Sequence, residues 1–318
     1  MSTPSTLLAT FPSPSSTTTP KTPTGRALVS LAAPGVWVLG MENVPDNRLT
    51  PLLPALDYIE LAWHRSTEAL RSANKAGGKK DKGPLPPFAE GALVLTGERG
   101  VGKFFSNGLQ LECLKEYPTF FRDYYYRLLW RLLTFPLYTI AAINGHCFAG
   151  GLCLALACDE RVCRPDRTWL SMNELQFGAP IPPGMSALLS ARLPSPQVTH
   201  EVLCTARRYT APEALESGIV DVVCGKEGSE GCVEEAVARA VGARRGLAVT
   251  GVLHSMRSTI YASTLRILAQ DETLRLGEPQ REMGRRFDEL KVLEKEGRLG
   301  RGEGGLLGLV KAEGMAKL

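Results

Sequence analysis

The stretch that decides the fold is Ala141-Ala-Ile-Asn-Gly-His-Cys-Phe-Ala-Gly-Gly-Leu-Cys-Leu-Ala-Leu-Ala-Cys-Asp159. It continues an apolar run that begins at Tyr138, breaks at Asn144-Gly145, and resumes with small and apolar residues to Cys158. Asn-Gly in this setting reads as a turn between two buried elements. The expected order is a strand over 138–144, a turn, and a buried helix over 149–158. Gly150 and Gly151 leave the start of that helix bare, so main-chain N–H groups there can face a ligand without side-chain obstruction. Leu137 to Cys158 is also about long enough to cross a bilayer. Asn144, Gly145 and His146 near its middle favour the soluble reading.

Upstream lies a second segment of the same kind. Gly91 to Thr96 (GALVLT) is a short buried strand, and residues 97–110 form a glycine-rich loop containing Gly102-Lys-Phe-Phe-Ser-Asn-Gly-Leu-Gln-Leu111. Ala27 to Met41 alternates as a hairpin does, with Pro34-Gly35 at its turn. Thr50-Pro51 offers an N-cap and a first-turn proline for a helix running to Ala76. Gly77 to Pro87 is a basic loop. An aromatic-rich amphipathic helix is expected over 119–133, a short strand at Trp169-Leu170-Ser171, and helices over 185–193, 211–217 and much of 230–292. Strands alternating with helices define an α/β domain, here followed by a helical C-terminal part.

The chain has 318 residues, 44% hydrophobic and 22% charged, with a net charge of +4. That size sustains a core without disulfides or metal. The mild positive charge suits an anionic small ligand and lacks the dense basic face of a nucleic-acid binder. Eight cysteines without a secretory signal indicate a reducing compartment. Cys153, Cys158 and Cys163 recur every five residues, about 500° around a helix, so their sulfurs do not share a face. With no CxxC pair, they read as small buried residues and no metal site is expected. Gly97 to Lys103 (GERGVGK) fits the opening of a phosphate-binding loop, but Phe104 stands where magnesium needs Ser or Thr. GRGEGG at 300–305 has no strand before it, and GxSxG is absent.

The ends read differently. Residues 1–25 are rich in Ser, Thr and Pro and are expected as a disordered or loosely attached arm. The core is expected over 26–245, a C-terminal helical part over 246–298, and a flexible, glycine-rich tail over 299–318. That tail ends in Ala316-Lys317-Leu318, a close variant of the Ser-Lys-Leu peroxisomal address.

The two loops together resemble the signature segments of the crotonase, or enoyl-CoA hydratase/isomerase, family. GKFFSNGLQLE is similar to its first oxyanion loop and AAINGHCFAGGLCLALACDERV to its second. LSMNELQFGAPIPPG and RRYTAPEALESGIVDVV continue the likeness in order, and PDNRLT resembles the early coenzyme A-contacting segment. Residues 26 to about 225 are covered, and the FSNG and NELQFG wording looks most like plant and fungal peroxisomal 3,2-enoyl-CoA isomerases.

The resemblance implies a crotonase-type spiral of ββα units with C-terminal helices that help to form trimers or hexamers. It assigns Leu109 and Gly150 as oxyanion-hole amides and Glu174 as the catalytic acid/base. Arg48, Lys103, Phe105, Ser106, Asn107, Gly108 and Phe177 become the candidate substrate-binding residues, with Phe120 and Tyr124 as further candidates for the wall. Family hydratases carry a first glutamate where Cys153 stands, so one carboxylate remains, which suffices for isomerisation. Ala149 replaces a frequent glycine, a departure a small side chain should tolerate. The implied activity is conversion of 3-enoyl-CoA to trans-2-enoyl-CoA in peroxisomal β-oxidation. No cofactor is expected beyond the coenzyme A of the substrate. An import receptor that reads the tail is the other expected partner. Hydration or other acyl-CoA chemistry in secondary metabolism, and a non-catalytic acyl-CoA-binding role, stay open at this point.

Overall fold

The computed structural model describes residues 6–12, 25–49, 52–76, 90–100, 103–110, 118–243, 251–270, 285, 288, 291 and 292. The chain divides into a unit spanning Met1–Asp271 and a second spanning Glu272–Leu318. In the second unit the described residues include an ion pair between Lys291 and Asp288 at 3.2 Å. Thr50, Pro51 and the tail from 299 to 318 lie outside the described residues.

In the first unit the strands are β1 (Thr6–Pro12), β2 (Arg26–Ala33), β3 (Val36–Glu42), β4 (Ala92–Thr96), β5 (Phe104–Ser106), β6 (Tyr138–Ile143), β7 (His146–Phe148), β8 (Glu160–Cys163), β9 (Leu170–Ser171) and β10 (Val222–Val223). The helices are α1 (Leu53–Ala76), α2 (Tyr126–Leu133), α3 (Gly150–Leu156), α4 (Pro183–Arg192), α5 (Pro196–Cys204), α6 (Ala211–Glu216), α7 (Gly228–Ala243), α8 (Val252–Ile260) and α9 (Ala262–Leu268). A large sheet runs in the order β1-β2-β3-β4-β6-β8-β10, and a small one in the order β5-β7-β9. The hairpin of β2 and β3 is antiparallel; from β3 onward the large sheet is parallel. Three times the chain leaves the large sheet, adds one short parallel strand to the small sheet, and then turns helical. This is the expected spiral of ββα units.

Alternation along the central strands explains why both faces of the large sheet are covered. Leu93, Leu95, Ala141 and Ile143 face a core shared with Leu56 and Ile59 of α1, Leu128 and Leu129 of α2, and Leu152 of α3. Their neighbours Ala92, Val94, Ile140 and Ala142 point the other way, against Cys232, Val233, Ala236 and Ala240 of α7. A parallel strand buried on both faces must be apolar throughout, as ALVLT is nearly. The Asn144 turn is buried too. Its side chain accepts from Gly97 N at 3.1 Å and donates to Glu98 O at 2.9 Å and Ser229 Oγ at 2.8 Å.

One expectation needs correction. Part of the arm over 1–25 is ordered: Thr6–Pro12 pairs antiparallel with β2, because Ala9 and Phe11 pack on the core. The helices of the C-terminal part join the main core through Leu265 and Leu268. Buried Arg257 donates to Leu137 O at 2.9 Å and pairs with Asp159. Arg192 of α4 donates to Leu156 O at 2.7 Å, Cys158 O at 2.6 Å and the Tyr261 hydroxyl at 2.6 Å. Cations thereby satisfy the carbonyls at the C-terminal end of α3.

Candidate active site

The first loop is held by the segment just before α1. Asn47 Nδ2 donates to Phe105 O at 2.7 Å, Leu49 N to Gly108 O at 2.9 Å, and Asn107 Nδ2 to Asp46 Oδ2 at 2.9 Å. Arg48 pairs with Asp46 at 2.8 Å and donates to Asn107 O at 3.1 Å and Leu109 O at 3.0 Å. Ser106 Oγ accepts from Gly108 N at 3.2 Å. Gly108 adopts φ +84°, which turns the chain back on itself. The main-chain groups of Asn107 and Gly108 and the Leu109 carbonyl thus have partners, and no partner for the Leu109 N–H is found among the described residues.

The second loop meets the first at this point. Cys147 N and Ala149 N donate to Trp169 O and Ser171 O, each at 2.9 Å, which seats the start of α3 beside β9. A Cβ on Gly108 would lie 2.9 Å from Ala149 Cβ and 3.2 Å from Gly150 N. One on Gly150 would lie 3.0 Å from Leu109 Cγ. Gly108-Leu109 and Ala149-Gly150 are therefore in van der Waals contact, and only glycine permits it. Gly150 opens α3, so its N–H has no intrahelical acceptor.

Ala149 carries a cost the residue pattern alone does not reveal. Its φ of +52° and ψ of −127° belong to glycine, so the tolerance expected for a small side chain is corrected. The bonds from Ala149 N to Ser171 O and from Leu152 N to Ala149 O hold it there. Ala149→Gly is expected to stabilise the fold by about 1 kcal/mol. The midpoint in a thermal melt should rise by ~2–4 °C; an unchanged or lower midpoint would remove the strain argument.

Glu174 begins a short 3₁₀ turn, Glu174–Phe177, three residues past β9. Its side chain is 7% exposed, and Oε2 has no hydrogen-bond partner among the described residues. Burial raises its pKa from 4.5 to about 7. The Glu174 charge in turn contributes to raising the Tyr125 hydroxyl and the Cys153 thiol, both of which burial raises most. The carboxyl is thus within electrostatic reach of the first turn of α3. Two more buried acceptors, Asn173 Oδ1 and Gln110 Oε1, also lack partners among the described residues. Buried polar atoms are normally satisfied, and Gln110 lies on the first loop while Asn173 and Glu174 lie on the segment after β9.

The sequence profile described as enoyl-CoA hydratase/isomerase matches residues 89–274, more than half of the chain. The chain belongs to the enoyl-CoA hydratase/isomerase family. Among curated members it is 35% identical over 143 residues to the peroxisomal enoyl-CoA delta isomerase 1 of Arabidopsis thaliana, covering 44% of this chain and 58% of that one. It is 36% identical over 156 residues to enoyl-CoA delta isomerase 3 of the same plant, covering 46% and 64%. The matched regions span less than two thirds of these relatives. An enoyl-CoA hydratase structure from Mycobacterium marinum shares the fold with a TM-score of 0.58 at 22% identity, over 79% of this chain and 99% of that one. A mycobacterial enoyl-CoA isomerase does so with a TM-score of 0.56 at 23% identity, over 76% and 93%.

Within this family frame, the structure brings Ser106, Asn107, Gly108 and Leu109 together with Gly150. It treats the other candidates differently. Arg48, a candidate substrate-binding residue, spends its guanidinium on Asp46 and the carbonyls of the first loop. Phe105 is wholly buried, its ring in the main core rather than at a surface. Phe177, expected to wall the carboxyl, is 51% exposed; the 3₁₀ turn points Glu174 inward and Leu175 and Phe177 outward. Lys103 lies over the Phe104 ring at 5.3 Å from its centroid. His146 is structural: Nδ1 accepts from Trp169 N at 3.1 Å, and its ring stacks on Phe148. Burial and nearby cations hold its pKa below the usual range. Among the described residues no cluster of His, Cys, Asp and Glu suits a metal ion, and no helix is long and apolar enough to span a membrane.

The residue that sequence reasoning missed is Tyr125. It closes a π-helical turn, Phe121–Tyr125, within the expected helix. Such turns recur at functional sites. Here three consecutive tyrosines reach three elements. The Tyr124 hydroxyl accepts from Leu52 N at 2.9 Å, and that of Tyr126 from Gly184 N at 3.2 Å. The Tyr125 hydroxyl donates to Gly150 O at 2.7 Å. The Tyr-Tyr-Tyr run in an amphipathic helix was the available signal.

Proposed function

We propose that the chain is a 3-enoyl-CoA to trans-2-enoyl-CoA isomerase. Glu174, as carboxylate, removes a proton from carbon 2 of a 3-enoyl thioester. The negative charge passes to the thioester oxygen, where the Leu109 and Gly150 amides receive it. Glu174, now protonated, returns the proton to carbon 4, and the double bond ends in conjugation with the thioester. Each amide contributes about 3–4 kcal/mol to the transition state, and a base poised near pH 7 serves both transfers.

The observation that carries this reading is the buried Glu174 carboxyl, whose Oε2 has no partner among the described residues and whose pKa burial raises to about 7, within electrostatic reach of Tyr125 and Cys153. Cys153 supports isomerisation over hydration: its thiol, raised well above its ordinary value by burial, offers no base to activate water. The names of the two Arabidopsis relatives support the same activity, and that of enoyl-CoA delta isomerase 1 supports a peroxisomal location. Import through Ala316-Lys317-Leu318 belongs to the same proposal. So does assembly of three or six copies, for which Val252, Met256 and Ile260, exposed at four-residue spacing on α8, provide an apolar face.

The purified protein should conjugate 3-hexenoyl-CoA, followed by the rise in near-ultraviolet absorbance of the enoyl thioester, and leave crotonyl-CoA unhydrated. Hydration of crotonyl-CoA at a comparable rate would replace the isomerase reading with a hydratase one. Binding of both without turnover would leave an acyl-CoA-binding protein.

A further inference from the structure

Tyr125 belongs to neither signature loop, yet it touches the turn on which the proposed chemistry depends. Its side chain is 0% exposed, and its hydroxyl lies 2.7 Å from Gly150 O. A Cβ on Gly150 would stand 3.1 Å from the same oxygen, so the phenol is packed against that residue on the side a side chain would occupy. The Cys153 thiol, one turn further along α3, lies within electrostatic reach of the same hydroxyl. In so dry an interior, a hydroxyl deprived of its Gly150 partner would bear the full cost of desolvation.

Ala149 O, on the peptide that carries the Gly150 N–H, accepts from Leu152 N at 2.9 Å and Cys153 N at 3.3 Å. Ala149 carries strained backbone, and the two residues after it are glycines, the residue type with most conformational freedom. Arg192 and Arg161 anchor the far end, at Leu156 O and Cys158 O. At the near end, the Ala149 N to Ser171 O bond fixes the residue before Gly150. The Tyr125 bond fixes the carbonyl of Gly150 itself, on the next peptide plane. The peptide plane between them carries the Gly150 N–H.

We propose that Tyr125 is a positioning residue, whose hydroxyl clamps the first turn of α3 and so sets the direction of the Gly150 amide toward the enolate oxygen. The proposal rests on the isomerase reading of the site, and its test is separable from that reading. Tyr125→Phe keeps the ring and deletes only the oxygen. In 3-hexenoyl-CoA isomerisation its kcat falls about tenfold or more, as expected for a misaligned donor, while KM stays within about twofold. The second readout is acetoacetyl-CoA, a 3-ketoacyl thioester whose enolate absorbs in the near ultraviolet. The enolate fraction, measured per bound ligand so that only folded protein counts, falls by a similar factor. Cys153→Ala keeps the bond to Gly150 and should leave that fraction within about twofold of the parent.

Equal enolate fractions in Tyr125→Phe and the parent would overturn the proposal. So would a loss in Cys153→Ala as large as that in Tyr125→Phe, or a parent protein that binds no enolate. A parent inert toward 3-hexenoyl-CoA whose bound enolate still depends on the Tyr125 hydroxyl would sink the isomerase reading and leave the clamp standing.

Discussion

Glu174→Gln lowers kcat/KM for a 3-enoyl-CoA by about 10³-fold, within the span general-base groups contribute, while the acyl-CoA still binds. Glutamine keeps the size of the side chain and cannot take a proton. The parent enzyme makes the companion prediction. Its base acts as the carboxylate, so kcat/KM rises about tenfold per pH unit below neutrality and levels off above about 7, where burial has moved the group. The stability consequence has the opposite sense. The folded-state value lies above the unfolded one, so the stabilising contribution of this carboxyl is complete below pH 4.5 and is lost as pH rises through about 7. At pH 8 the parent holds a buried charge that the glutamine variant lacks, and the variant should be the more stable by on the order of 2–3 kcal/mol. Near pH 4.5 the two should melt together. Denaturant titrations at the two pH values check this. A variant of undiminished activity would remove Glu174 from the mechanism, and one equally stable at both pH values would show the carboxyl to be solvated.

The second large effect is expected at Gly108. Gly108→Ala places a methyl group 2.9 Å from Ala149 Cβ and 3.3 Å from Phe148 O, at a residue whose φ is +84°. The neighbours are main-chain atoms and a methyl group that cannot swing aside, so the two loops must separate. Loss of one aligned donor should lower kcat by about 10²-fold, with a stability loss on the order of 1–3 kcal/mol. Gly100 supplies the control: it has the same φ of +84°, and among the described residues nothing lies within 4 Å of an added Cβ. Gly100→Ala should lose less stability, through its φ alone, and keep its activity. Equal activities in the two variants would show that contact between the loops is irrelevant to catalysis.

How much of this was legible can be argued element by element. ALVLT and YTIAAI announce themselves as central parallel strands because both faces are buried and nearly every residue is apolar. The hairpin around Gly35 was equally plain, since φ +72° at that turn needs the glycine that stands there. By contrast β5 and β7 have three residues each and exist only by pairing with one another and with β9. No window of three residues carries a periodicity, so one read as loop and the other as a turn running into a helix. The π-helical turn was hidden for a related reason: an amphipathic pattern fits α and π geometry alike over five residues.

At the site, the order of residue types along the chain determined which groups are available: two glycine-bearing loops, a carboxylate in the Asn-Glu-Leu segment, and a cysteine in place of a second carboxylate. The residue types are chemical identities that a linear sequence states outright, and the family resemblance implies that the cysteine stands where hydratases carry a glutamate. Only the tertiary structure decided which of them act together and in what condition. Glu174 lies inside while apolar Leu175 and Phe177 lie outside, Arg48 serves a loop rather than solvent, and Tyr125 reaches Gly150 across 25 residues of chain. Burial, pKa and the direction of an N–H depend on neighbours brought in from distant parts of the chain, and local residue preferences do not encode them.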